Sequence, residues 1–117
     1  MPHVVLEGRI SVDDAARVFE PFVTRHGERI IKAERFYRER DARAALIEMV
    51  VVDAGHTQKF FIQLSPRDDG LTVRLEPLTD PEKSPAVKNA IAQIAHRLRS
   101  ATRAAYGATN IEEHLVR

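Results

Sequence analysis

The chain has 117 residues and contains no cysteine and no tryptophan. Without thiols it can build neither a disulfide framework nor a thiolate zinc site, and it has no cysteine nucleophile. That composition suits a reducing compartment, so a cytoplasmic protein is expected. No apolar run approaches the roughly 20 residues of a membrane span, and the N-terminal stretch MPHVVLEGRI lacks the basic-then-apolar order of a secretory leader. Neither sign of charge dominates: 18 Lys and Arg against 17 Asp and Glu leave a net charge of +1, which gives no global steering toward nucleic acid or anionic lipid. The 5 glycines stand singly, so no Gly-rich loop opens a helix, and neither a P-loop nor a dinucleotide fingerprint is present. No G-x-S-x-G elbow and no S-x-x-K motif surrounds a Ser. The 5 histidines, His3, His26, His56, His96 and His114, form no i, i+4 pair. No metal site, cofactor or catalytic constellation is therefore expected, and an enzyme is the least supported class.

What remains is an ordinary globular composition, 44% hydrophobic and 30% charged, in one α+β domain spanning residues 1–117. His3 to Ile10 alternates as a strand. Ser11 then reads as an N-cap, with Asp13 and Asp14 in the first turn, where carboxylates complement the helix dipole. The stripe Val12, Ala15, Ala16, Phe19, Phe22 and Val23 predicts a helix that kinks at Pro21 or breaks near Glu20, and that stops at Gly27. Four strands follow, Ile30 to Arg38, Ala44 to Asp53, Lys59 to Ser65 and Leu71 to Leu78. Their separators carry turn chemistry: the polar tip Arg40-Asp41-Ala42-Arg43, then Asp53-Ala54-Gly55-His56, then Ser65-Pro66-Arg67-Asp68-Asp69-Gly70. Separators this short favour an antiparallel meander. Ser84 and Pro85 open a long helix predicted to reach Tyr106 and to end at Gly107, roughly 33 Å at the helical rise. A short helix is expected in the tail from Thr109.

The order β-α-β-β-β-β-α predicts a five-stranded antiparallel sheet with two helices packed on one face. This order resembles one half of the TATA-binding-protein fold and, more loosely, the helix-grip folds that hold small ligands. The resemblance is one of topology; no motif matches either family residue by residue.

One strand departs from one-sided alternation. Ala45, Ile47, Met49 and Val51 fall on one side, and Leu46, Val50 and Val52 fall on the other with Glu48 among them. Three causes would produce this pattern. A bulge could turn both sides into one core. A second copy could cover an apolar outer face. A small molecule could lie on the curved sheet. The expected ligand or partner face is Leu46, Glu48, Val50, Val52, Phe61, Gln63 and Arg74. The function expected from it is a non-catalytic, self-associating (dimeric) interaction module. The alternative is a small-molecule binding domain using the same face, and a third possibility is weak nucleic-acid binding through the sheet. The Arg-rich stretch Glu34 to Arg43 mixes both signs of charge, and Phe36 and Tyr37 point to opposite faces of a strand, which disfavours a stacking platform there. The cations of the long helix, Lys88, Arg97, Arg99 and Arg103, are expected to form a solvated face, since Arg97 and Arg99 lie about 200° apart around it.

Overall fold

The computed structural model describes residues 1–41 and 43–117; Ala42, at the predicted polar tip, lies outside the described residues. The first strand, β1 (His3–Glu7), ends where Gly8 takes φ +120°. Helix α1 (Val12–Val18) begins at Ser11 with a reciprocal capping box: the Ser11 hydroxyl accepts from the Asp14 amide, and the Asp14 carboxylate accepts from the Ser11 amide, both at 3.0 Å. The helix then ends at Val18, ahead of Pro21, which can neither donate to nor fit the next turn.

The predicted continuation of this helix to Gly27 is overturned. Phe22–His26 is a strand, β2, hairpinned through Gly27 (φ +62°) and Glu28 to β3 (Arg29–Arg38). The meander continues through β4 (Ala45–Asp53), β5 (His56–Arg67) and β6 (Gly70–Leu75). Between β4 and β5, Ala54 and Gly55 both have positive φ, the geometry of a type I′ hairpin turn. Helix α2 (Pro85–Thr102) starts on the predicted cap, with the Ser84 hydroxyl accepting from the Val87 amide, and it ends earlier than Tyr106 because Arg103 turns left-handed at φ +66°. The residues read as its last turn form β7 (Ala105–Thr109), with Gly107 inside that strand rather than at a helix end. The tail helix is reduced to one 3-10 turn, Glu112–His114.

The result is an α+β fold with a curled antiparallel sheet of seven strands rather than five, in the order β2-β3-β4-β5-β6-β1-β7. Both extra strands sit at its edges. The inner face carries Val4 and Leu6 of β1, Ile47, Met49 and Val51 of β4, Ile62 and Leu64 of β5, and Val73 and Leu75 of β6, all at most 1% exposed. Val87, Ala90, Ile91, Ile94, Ala95 and Leu98 of α2 and Val12 and Ala15 of α1 complete the same core. The far side of α2 is covered too, since Ala92 is fully buried and His114 Nδ1 lies 2.8 Å from Asn89 Oδ1. No helix among the described residues is long and apolar enough to cross a membrane.

Gly70 shows how tightly β1 and β6 meet. It has φ +136°, and a Cβ there would lie 1.9 Å from the Leu6 carbonyl oxygen. Gly70→Ala is expected to lower unfolding stability in urea by at least about 2 kcal/mol, since backbone strain and a backbone clash combine. Gly27→Ala, with left-handed φ but nothing within 4 Å of the new Cβ, should cost only about 1 kcal/mol.

Candidate functional site

The sheet face opposite the helices holds the candidate site. Strand β4 pairs with β5 in unbroken register from Ala45↔Leu64 to Asp53↔His56. Its alternation is strict, with Ala45, Ile47, Met49 and Val51 buried and Leu46, Glu48, Val50 and Val52 partly exposed. A bulge that folds both sides of β4 into one core is therefore ruled out. The register sets Leu46 beside Gln63, Glu48 beside Phe61, and Gln63 beside Arg74. All seven residues expected for the face thus share it. Val5 belongs to it as well and is only 6% exposed.

Next to β4, a bulge is present in β3. Ala33 pairs with Met49 and Arg35 with Glu48, so Glu34 is an extra residue. Side-chain parity reverses across it. Ile31 and Ala33 face the core before the bulge, and Phe36, opposite Ile47, faces it afterwards and meets Phe19 with ring centroids 5.5 Å apart. Tyr37, opposite Leu46, is turned outward onto the candidate site. This residue was missed because regular alternation after Ala33 would have sent it inward. The only trace of the bulge in the sequence is the adjacent pair Glu34-Arg35 between Ala33 and Phe36.

The polar groups of the face are bonded to one another. The Tyr37 hydroxyl donates to Glu48 Oε1 at 2.9 Å, and the Tyr37 ring meets Phe61 edge-on with centroids 6.2 Å apart. Gln63 Oε1 accepts from Arg74 Nε at 2.6 Å and from the Ser65 hydroxyl at 3.1 Å. The Tyr37 hydrogen bond, helped by Glu34 and by the charges of Arg35 and Lys59, holds the Glu48 carboxyl below the usual carboxylate range. The face holds two shallow cavities. One of about 230 Å³ lies between Tyr37, Leu46, Gln63 and Glu76. The other, of about 250 Å³, lies between Glu34, Glu48, Val50, Phe61 and Thr79. Segment 76–82 bonds along the part of β5 that β6 leaves unpaired: the Phe61 amide donates to the Thr79 hydroxyl, and Gln58 exchanges hydrogen bonds with the Glu82 backbone. It leaves Leu78 93% exposed.

The remaining candidates stay apart. Asp13 pairs with Arg38, and Asp14 completes the capping box. Asp68 and Asp69 occupy the two-residue turn between Arg67 and Gly70. Among the described residues no group of three His, Asp or Glu could hold a metal. Of the cations of α2, Arg97 and Arg103 are exposed and Lys88 and Arg99 half-buried, and two of them lie over aromatic rings. The Arg97 guanidinium lies 3.7 Å over the Phe22 ring, and that of Arg99 lies 4.4 Å over Tyr106.

A carboxyl stabilised in its charged form contributes stability that is present above the ordinary carboxylate pKa and is lost as pH falls through the depressed one. The Glu48 side-chain resonance should accordingly titrate below a normal glutamate in an NMR pH series, and Tyr37→Phe should move its midpoint upward. An unchanged midpoint in Tyr37→Phe would show that the hydroxyl does not hold the charge.

No family model, no curated protein and no solved structure matches this chain.

Proposed function

We propose that the protein is a non-catalytic interaction module that pairs with a second copy of itself through the uncovered sheet face. The observation that carries this is the outer row of β4. Leu46, Val50 and Val52 present apolar surface across a regular strand, with Phe61 beside them and with Tyr37 bonded to Glu48 and Arg74 to Gln63. Groups satisfied within one protomer can be buried in an interface without leaving unpaired donors or acceptors. The face also carries both signs of charge, Lys32, Arg35, Lys59 and Arg74 with Glu34 and Glu48. A mixed pattern of this kind suits its own two-fold copy better than a partner of one sign.

The small-molecule alternative on this face has less support, because cavities of about 230 and 250 Å³ fall short of the roughly 300 Å³ at which ligand clefts begin. Nucleic acid has less support again. Tyr37 and Phe61 do share the face with four cations, but Glu34 and Glu48 stand among them and would meet phosphates with like charge.

The test is solution mass by light scattering. The wild type is expected at twice the chain mass of 13.2 kDa. Leu46→Lys, on the outer row, should give a monomer that still unfolds cooperatively, at a melting temperature lowered by the loss of association, because its Cβ points away from the core. A wild type that remains monomeric at its highest soluble concentration would overturn the proposal.

A further inference from the structure

A cavity larger than the two on the sheet face lies on the helix side, away from the proposed self-pairing face. It is a groove of about 540 Å³ between the end of α1, the start of β2 and the C-terminal half of α2. Its origin is local. Helix α1 is only 7 residues long and stops before Pro21, so the chain leaves α2 and turns into β2 just where a longer helix would have packed on. The gap is walled by Val18, Phe19 and Phe22 on one side and by Ile94, Leu98 and Ala101 on the other. Its volume lies within the roughly 300–1,000 Å³ of small-molecule clefts.

Polar groups of its lining lack side-chain partners among the described residues. Arg97 makes no ion pair or side-chain hydrogen bond among the described residues; its flat face rests on Phe22, which leaves the N–H edge of the guanidinium free. His96 has its Nδ1 buried with no hydrogen-bond partner. Ser100 adds a hydroxyl at the same rim. The one acidic lining residue, Glu20, is exposed and makes no ion pair among the described residues, with Arg97 or any other cation. An apolar trough with a free guanidinium at its lip complements a molecule with an aliphatic body and an anionic end. A carboxylate is the group that the guanidinium fork fits with two parallel hydrogen bonds.

We infer that this groove is a binding site for short aliphatic carboxylates, with the chain against Phe19, Phe22 and Leu98 and the carboxylate on Arg97. The probe is sodium octanoate, titrated into ¹⁵N-labelled protein and followed by amide chemical shifts, with octylamine and octanol as controls. Saturable shifts centred on Phe19, Phe22, Leu98 and Ala101 are expected, with a Kd on the order of 0.1–1 mM, as fits a ligand of about ten non-hydrogen atoms. Arg97→Gln should weaken octanoate at least tenfold and leave octanol within twofold. Ala101→Trp, at an exposed position on the groove wall, should abolish binding of both. The inference is overturned if octanoate gives no saturable shifts, if they centre on Val50 and Phe61 instead, if octylamine binds as well as octanoate, or if Arg97→Gln binds octanoate unchanged. The wild-type shift map decides the site even if Ala101→Trp does not fold. None of these outcomes depends on whether the protein self-associates, since the groove and the uncovered face lie on opposite sides of the sheet.

Discussion

The burial of β4's inner row against α2 is the contact on which the rest of the structure depends. Ile47 and Met49 are completely buried, Ala45 and Val51 nearly so, and they meet the stripe of α2 that runs from Val87 to Leu98. Fully burying one such large aliphatic side chain contributes about 1.5–3 kcal/mol, so the row anchors the helix and fixes the strand's register. A slip of one residue would exchange that row for Leu46, Glu48, Val50 and Val52 and bring a carboxylate into the core. Glu48 therefore helps to specify which side of β4 faces inward, although the other three residues of its row are apolar.

Fixing β4 in this way fixes the chemistry of both faces. The outer row must lie opposite the helices, where it meets Phe61 and the hydrogen-bonded pairs of Tyr37 with Glu48 and of Arg74 with Gln63. The β3 bulge completes the arrangement by turning Phe36 inward to Phe19 and Tyr37 outward to Glu48. On the helix side the early stop of α1 leaves the groove beside Arg97. Each feature follows from a short-range cause: strand parity, one extra residue, or one proline.

Much of this was legible in the sequence. Strict alternation marked β5 and β6, and Ser11 with Asp14 and Ser84 with Pro85 marked both helix starts. A Gly-containing turn was visible in Asp53-Ala54-Gly55-His56, and seven residues of the outer face could be named because their period is two. The two edge strands were not legible. Phe22 and Val23 fit a helical stripe as well as a strand, and only pairing with Lys32 and Ala33 of β3 decides between them. Ala104-Ala105-Tyr106 has strong helical propensity, yet the free edge of β1 recruits it as β7. The stacking of Arg97 on Phe22 was hidden for the same reason, since it needs β2 beneath the helix. The direction of Tyr37 was hidden because a bulge reverses parity with almost no compositional mark.

The central claim is that one face of β4 packs on α2 while the other packs on a second copy of the chain. Isotope-filtered NOE spectroscopy on a mixture of labelled and unlabelled protein tests it most directly. Intermolecular NOEs to the methyls of Leu46, Val50 and Val52 are expected, with none to Ile47 or Val51. Intermolecular NOEs confined to the edge strands β2 or β7, or none at all, would contradict it.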